Sequence, residues 1–222
     1  MKKIRYIILL VFTLGFFYSC NDDFINVENQ ELLTESSFWH SEDHAMQALI
    51  AAYGAIQSSS GSKWNFFEEM YVTMAYRGDD ILNNSGETYG RSLSSFTNTT
   101  EESGPYSIWK SSYAGIGRAN QILDRVPAME TLSQSTKDLI IAEAKFLRAY
   151  FYFWLVTGFE NVPLITTYSD ELDSLFPSQA TASEIWLQIE KDLIEAEPHL
   201  LSTHSSEWKG RATKGAAKAL LG

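Results

Sequence analysis

Aromatic rings and hydrogen-bonding side chains occur together between residues 64 and 96, and this combination suits the binding of a sugar. The apolar face of a pyranose ring packs on a flat aromatic ring, while neighbouring polar side chains hydrogen-bond its hydroxyl groups. We predict ligand-binding roles for Trp64, Arg77, Asp79, Asp80, Asn83, Tyr89 and Arg91. Core packing remains the alternative for the aromatic residues of the predicted short helix, and a solvated turn or helix cap for the two aspartates.

Two pairs of adjacent acidic residues, Glu68–Glu69 and Asp79–Asp80, raise the possibility of a glycosidase, which places two carboxyl groups across the scissile bond. Neighbouring residues on a helix point about 100° apart, so such a pair cannot face one substrate from opposite sides. The sequence contains no glycine-rich phosphate loop, no nucleophile elbow and no cysteine cluster. We therefore predict no catalytic residue and no cofactor, and an exported glycosidase stays open as a third hypothesis.

Two histidines, His40 and His44, have the i, i+4 spacing at which imidazoles on one helix can hold a metal ion. Such a site would need both residues inside the helix and a third ligand nearby. Ser41 is the better candidate for the residue that caps this helix, which places His40 before the first turn. We therefore predict no metal site.

The first twenty residues, MKKIRYIILLVFTLGFFYSC, join a basic start to an apolar run and a small residue before Cys20. This order is typical of an export signal, and the run is shorter than the about 20 residues of a membrane-spanning helix. The position of Cys20 resembles the acylated cysteine of the bacterial lipobox, and a bystander cysteine is the alternative. We predict a signal peptide at residues 1–19, a lipidated polar tether at residues 20–40 and a helical domain at residues 41–222.

The chain is acidic, with 17 basic and 28 acidic residues and a formal net charge of -11. Removal of the signal takes away three basic residues, leaving 14 minus 28, or -14. This charge argues against binding to nucleic acid, which requires a surface of Lys and Arg. Since Cys20 is the only cysteine, the exported domain has no disulfide and depends on its apolar core.

Hydrophobic periodicity predicts an all-α domain. Apolar residues recur at steps of three and four in six segments, which are separated by glycine, proline and serine. The predicted helices cover residues 41–58, 64–76, 105–126, 135–158, 181–200 and 213 onward. Residues 77–104 are predicted to form a long functional loop, and an extended polar link follows Pro163.

The helix predicted over residues 135–158 contains five consecutive aromatic residues, Tyr150–Trp154. It begins amphipathic and becomes apolar on nearly every side, so more than one of its faces must be covered. The uncharged part is too short to span a bilayer, which leaves packing between neighbouring helices. Stacked helical hairpins bury a helix in this way, and we therefore predict a helical-hairpin solenoid.

Two further expectations concern single faces of helices. Asn120 lies on the apolar face of its helix, and we expect a buried amide bonded to neighbouring backbone rather than a ligand contact. Thr181 and Glu184 have the spacing of a capping box at the start of the next long helix. The predicted buried face of that helix is Trp186, Ile189, Leu193, Ala196 and Leu200.

Several segments together resemble the SusD/RagB family of outer-membrane lipoproteins, which bind nutrients for uptake. The similarity lies in Cys20 and in WKSSYAGIGRANQIL (109–123), AEAKFLRAYFYFWLVTGFENVPL (142–164), EIWLQIEKDLIEAEPHL (184–200) and GRATKGAAKALL (210–221). These segments follow the order and spacing of the family. At Glu160 the family commonly has glycine, two residues before Val162.

The resemblance implies a tetratricopeptide-like α-α superhelix with long loops, in which the aromatic helix is scaffold and lies away from solvent and ligand. It also implies a lipid-anchored outer-membrane protein that captures an oligosaccharide or similar nutrient without cleaving it and partners a TonB-dependent, SusC-like transporter. The acidic residues after Cys20 resemble signals for exposure at the cell surface. A helical-repeat scaffold that binds proteins is the alternative function. Because family members are commonly much longer, we expect this chain to be the N-terminal part of one.

Overall fold

The computed structural model describes residues 38–57, 66–78, 88–99, 103–169 and 177–222. The chain divides into two compact units, Met1–Phe38 and Trp39–Gly222, and the fold described here is that of the second. The predicted signal peptide, Cys20 and most of the tether lie outside the described residues. In the described ranges, no helix combines the length and apolar character that a membrane span requires.

The described part of the chain is mainly helical, which confirms the all-α prediction. Helices α1 (Glu42–Gln57), α4 (Ser103–Arg125), α5 (Gln134–Phe159) and α6 (Ala182–Ala196) pack in sequence, each against the next. Helix α2 (Phe66–Ala75) lies against α1 and α4, α3 (Thr88–Ser94) contacts α2, and α7 (Lys214–Leu221) packs on α6. Short 3-10 turns cover Val126–Ala128, Glu197–His199 and Ser206–Trp208.

Hydroxyl groups begin four of these helices, and three of the four starts, at Ser41, Thr181 and Thr213, agree with the prediction. Ser41 accepts a hydrogen bond from the N–H of His44 at 3.2 Å, and Ser133 accepts one from Thr136 at the same distance. Thr181 and Glu184 form the predicted capping box, and Thr213 caps α7. Each cap satisfies a backbone donor that the first turn leaves without an intrahelical partner.

The prediction of an unbroken loop over residues 77–104 is wrong, because α3 forms inside it and α4 begins at Ser103. Helix α3 is too short to be stable alone, so packing must hold it, and its Leu93 is fully buried. The sequence around Leu93 has no helical periodicity over a useful length. Pro105 lies in the first turn of α4, where its missing N–H costs nothing.

The link between α5 and α6 contains a small antiparallel sheet that the sequence analysis missed. Strand β1 (Val162–Pro163) pairs with β2 (Gln179–Ala180). The turn before β1 depends on Glu160, which has a φ of 64° and a ψ of -87°. A positive φ is strained for a side chain that carries a Cβ, which is the physical reason for glycine at such a position.

Helix α5 packs between α4 and α6, as the aromatic run predicts. Phe151 and Tyr152 are fully buried, while Tyr150, Phe153 and Trp154 are partly buried against the core. The Phe151 ring lies so close to α4 that a Cβ built on Gly115 would be 2.1 Å from it. Gly115 therefore allows the two helices to approach.

The prediction that α6 buries Trp186 is wrong, because this side chain is 39% exposed. The buried face instead begins at Ile185 and includes Asp192, together with the predicted Ile189, Leu193, Ala196 and Leu200. A sequence pattern based on apolar residues does not place an aspartate in a core. Asp192 is buried because it forms an ion pair with the buried Arg148.

Candidate functional site

Two of the seven predicted ligand-binding residues have described side chains. Arg77 follows α2 and Arg91 lies on α3, and both are exposed. No contact between these two arginines is found among the described residues. Trp64, Asp79, Asp80 and Asn83 lie outside the described residues, as does the side chain of Tyr89. Their predicted roles remain predictions.

The structure brings Arg77 to an exposed aromatic ring. The guanidinium carbon of Arg77 lies 5.8 Å from the centroid of the Phe96 ring, within the range of a cation–π contact. Phe96 is 67% exposed, although its side chain is large and apolar. Phe96 is not among the predicted site residues, and its only signal in the sequence is that of a lone aromatic residue within the polar segment SSFTNTT.

The backbone at Phe96 is held in an uncommon conformation. Its φ is 55°, and the turn is closed by hydrogen bonds from Phe96 N to Leu93 O and from Thr97 N to Ser92 O. A non-glycine residue in this region costs roughly 1–2 kcal/mol. The buried Leu93 anchors the turn, so the ring of Phe96 is presented to solvent from a fixed backbone.

A small pocket of about 70 Å³ lies beside Arg77. Met74, Pro105 and Trp154 contribute to its walls. The expectation that the aromatic run of α5 lies away from every cleft is therefore wrong for Trp154, although it holds for Phe151 and Tyr152. Trp154 is the last residue of the run and is only partly buried.

Further exposed rings occur on the elements that surround this pocket. Tyr71 on α2 is 62% exposed, and Tyr106 on α4 is 60% exposed with the Lys110 ammonium 5.8 Å from its ring. Helix α2 packs against both α3 and α4, so the exposed side chains of Tyr71, Arg77, Phe96 and Tyr106 come from segments on or next to these contacting helices. We call these four residues the aromatic surface. It offers flat apolar faces beside cationic hydrogen-bond donors, which can hold a sugar ring without chemical change.

A second group of polar residues is buried where α1, α5 and the chain before α7 meet. The Arg211 guanidinium donates to both carboxylate oxygens of Glu143, at 2.6 and 2.9 Å. The Tyr53 hydroxyl donates to Glu143 Oε2 at 2.7 Å and accepts from Ala212 N at 2.8 Å. Burial, followed by the charge of Glu143, raises the pKa of Tyr53 far above its usual value.

A third group crosses α4, α5 and α6. Arg148 donates to the two carboxylate oxygens of Asp192 at 2.8 and 2.7 Å, and to Asn120 Oδ1 at 2.8 Å. Its remaining contact is the carbonyl of Thr166 at 2.9 Å. The amide of Asn120 donates to the carbonyl of Ile165 at 2.9 Å, which confirms the prediction of a buried amide bonded to backbone.

Metal ligation gains no support from the geometry. In the ranges that the structure describes, no three His, Cys, Asp or Glu side chains lie close enough together to hold a metal ion. The side chains of Glu68 and Glu69 are outside the description, as are Asp79 and Asp80. The glycosidase hypothesis is therefore untested by these pairs.

The model of a SusD-like family, described as "Starch-binding associating with outer membrane", matches residues 23–222. The chain belongs to this SusD-like family. Its resemblance to SusD/RagB proteins is thus confirmed. The family motifs supply both buried ion pairs described above: Glu143 and Arg148 of AEAKFLRA, Asp192 of EIWLQIEKDLIEAEPHL and Arg211 of GRATKGAAKALL. The motifs therefore mark scaffold contacts.

The chain is similar to SusD-like proteins in sequence and to solved SusD-like structures in fold. SusD-like protein P25 of Formosa agariphila is 28% identical, over 97% of this chain and 41% of the relative. A solved laminarin-binding SusD-like protein is 35% identical with a TM-score of 0.71, over 82% of this chain and 39% of that structure. Surface glycan-binding protein A from Bacteroides fluxus is 26% identical with a TM-score of 0.71, over 82% and 39%.

These likenesses confirm the tetratricopeptide-like helical fold of this SusD-like chain. The chain spans about two fifths of the length of the curated relatives it matches. Family membership and fold are therefore established over this length.

Proposed function

We propose that this SusD-like protein is a non-catalytic, cell-surface lipoprotein that binds an oligosaccharide and delivers it to a TonB-dependent outer-membrane transporter. The observation that carries the proposal is the exposed ring of Phe96 on its fixed turn, with the Arg77 guanidinium 5.8 Å from the ring centroid. An exposed ring beside a planar cation can pack on the apolar face of a pyranose and bind its hydroxyl groups. The solved laminarin-binding relative supports a glycan as ligand.

Binding without turnover agrees with the chemistry of the aromatic surface. Neither Arg77 nor Phe96 carries a carboxyl, imidazole or thiol group, which are among the groups that transfer protons in catalysis. A phenylalanine ring contributes contact area and no proton. These two residues therefore serve to hold a ligand, and hydrolysis would need groups from elsewhere in the protein.

Anchoring at the outer membrane is part of the proposal. The family description refers to association with the outer membrane, and the predicted signal peptide ends directly before Cys20. Acylation of Cys20 would attach the acidic tether and the helical domain to the membrane surface. Replacement Cys20→Ser should move the protein from the membrane fraction to the soluble fraction, and unchanged sedimentation with membranes would contradict the lipid anchor.

Affinity electrophoresis in native gels that contain laminarin, starch or other polysaccharides tests glycan binding. We expect at least one glycan to retard the protein. Phe96→Ala should weaken this binding about tenfold, because a loss of about 1.4 kcal/mol of contact with the ring corresponds to a factor of ten in affinity. Leu187→Ala on α6 is the matched control, because Leu187 is 63% exposed and lies on another element. Retardation by no glycan, or equal retardation of the Phe96→Ala variant, would contradict the proposal, and release of reducing ends would support the glycosidase.

A protein-binding scaffold is the second candidate function, and exposed apolar residues on α6 favour it. Leu187 and Ile194 are 63% and 61% exposed and lie seven residues apart, two turns along one helix face. A partner protein could cover this face. If no glycan is bound and Leu187→Glu disrupts a complex recovered from outer membranes with a crosslinker, the scaffold replaces the glycan-binding function.

A further inference from the structure

A second pocket of about 200 Å³ lies where the end of α1 faces the segment before α7. Its wall residues come from two distant parts of the sequence. They are Ile50, Tyr53, Gln57, Glu207, Trp208, Lys209, Gly210 and Arg211. None of them belongs to the aromatic surface or to the pocket beside Arg77.

The base of this second pocket is built from a rigid arginine. Two hydrogen bonds to the buried Glu143 carboxylate fix the Arg211 guanidinium through its Nε and Nη2 atoms. Tyr53 holds Glu143 from the other side, so the group is anchored to both α1 and α5. Nη1 of Arg211 donates to no described residue, and this atom keeps its two N–H groups for a ligand.

An aromatic ring stands beside this arginine. The guanidinium carbon of Arg211 lies 5.3 Å from the centroid of the half-buried Trp208 ring. Trp208 ends a 3-10 turn, and the chain then turns through Gly210, whose φ of 100° favours glycine. Arg211 N donates back to Trp208 O at 3.4 Å. The ring and the guanidinium are thus placed by the backbone before any ligand arrives.

The charges around this pocket balance. Arg211 and Lys209 contribute two positive charges, and Glu143 and Glu207 contribute two negative charges, so the sum is zero. An anionic ligand would therefore gain little, because the guanidinium is already paired with a carboxylate. An uncharged ligand with many hydroxyl groups can accept from Nη1 and bond to the exposed amide of Gln57.

We propose that this pocket is a second carbohydrate subsite, which takes one uncharged pyranose unit. The Trp208 ring packs on the apolar face of the sugar, while Arg211 and Gln57 bond its hydroxyl groups. The volume of about 200 Å³ is below the roughly 300–1,000 Å³ of pockets for drug-sized ligands, and it suits a single ring. The inference rests on the proposed function, since it assumes that the protein binds glycans, and it adds a site with different lining residues.

The test uses isothermal titration and tryptophan fluorescence with laminarin oligosaccharides, on the wild-type protein and on Phe96→Ala. We expect the Phe96→Ala protein to retain weaker binding with a change in tryptophan emission. Adding Trp208→Ala should reduce the remaining affinity at least tenfold. Trp186→Ala is the matched control, because Trp186 is partly exposed on α6 and lines neither pocket.

Gln57→Ala keeps the test valid if Trp208→Ala fails to fold, since the Gln57 side chain is exposed. It should weaken the remaining affinity of the Phe96→Ala protein several-fold. If wild-type protein binds the oligosaccharide and Phe96→Ala abolishes all binding, the second subsite is overturned and the proposed function stands. If neither protein binds any glycan, both fail. If the Phe96→Ala protein binds the anionic oligogalacturonate as tightly as it binds the laminarin oligosaccharide, the proposal of an uncharged ligand is overturned.

Discussion

Two arginines of this chain, one buried and one exposed, have different contacts. The Arg148 side chain is 7% exposed and donates four hydrogen bonds, to Asp192, Asn120 and the carbonyl of Thr166. Arg77 is exposed and contacts the face of Phe96, and none of its donors bonds a described residue. The first arginine joins helices, whereas the second leaves its N–H groups accessible to the ligand that we propose. The comparison separates the scaffold from the proposed binding surface.

The largest expected effect is that of Arg148→Ala. It leaves the Asp192 carboxylate, 1% exposed, without its partner, so the free energy of unfolding should fall by about 3–5 kcal/mol. Urea denaturation followed by circular dichroism measures this. The double variant Arg148→Met with Asp192→Leu should lose much less, because it buries no unpaired charge. A loss below about 1 kcal/mol in Arg148→Ala would mean that the pair contributes as little as a surface salt bridge.

Alkaline pH should weaken the same scaffold. Burial raises the pKa of Tyr152 to about 12, so the folded protein keeps a phenolic proton that the unfolded chain loses above about pH 10. Stability is therefore complete below pH 10 and falls as pH rises toward 12, by about 3 kcal/mol at 1.36 kcal/mol per pH unit. Burial raises the pKa of Tyr113 as well, which acts in the same direction.

Urea denaturation at pH 9, 10 and 11 measures this slope. Tyr152→Phe should make the fall of the unfolding free energy with pH shallower, by the amount that corresponds to one bound proton. The substitution also removes the hydrogen bonds between the hydroxyl group and Ile165. Stability that does not change across this pH range would contradict the burial of the phenol.

Packing between α4 and α5 gives the next effect. Gly115→Ala should destabilise the protein by about 1–3 kcal/mol, because the new methyl group would lie 2.1 Å from the Phe151 ring. Gly117→Ala on the same helix is the matched control, since a Cβ there meets nothing within 4 Å. It should gain up to about 1 kcal/mol from helix propensity. Equal melting temperatures for the two variants would contradict the close approach of α4 and α5.

The turn after α5 should respond in the opposite direction. Glu160→Gly removes the strain of a φ of 64° and should stabilise the protein by about 1 kcal/mol. Differential scanning calorimetry can measure the rise in Tm. Glu160→Ala should give no gain, because alanine keeps the Cβ that causes the strain. A stabilising alanine and a neutral glycine would show that the effect comes from the carboxylate.

The aromatic surface should show the smallest change in stability. Arg77→Ala should change the free energy of unfolding by no more than about 0.5 kcal/mol and still weaken glycan retention, since its contact is exposed. Lys191→Ala removes an exposed cation on α6 and serves as the control. A large loss of stability in Arg77→Ala would remove the distinction between the two arginines, and unchanged retention would remove Arg77 from the site.

The fold was more predictable from the sequence than the site. Helix starts at Ser41, Thr181 and Thr213 depend on local hydrogen bonds between a hydroxyl and the backbone, and their residues are adjacent in sequence. Helix α3 and the β1–β2 pair depend on contacts with distant segments, so no local pattern indicated them. For the site, residue type suggested Arg77 but not Phe96, because a lone phenylalanine can be buried or exposed.

The sequence by itself determined the long helices, their caps and the need for α5 to be covered on several sides, since all of these follow from periodicity and side-chain volume. Only the tertiary structure decided where charge is buried. Glu143 and Arg211 are 68 residues apart, and Arg148 and Asp192 are 44 apart. A charged residue in a helix is ordinarily placed in solvent, and burial becomes favourable only when a distant partner arrives with the correct geometry.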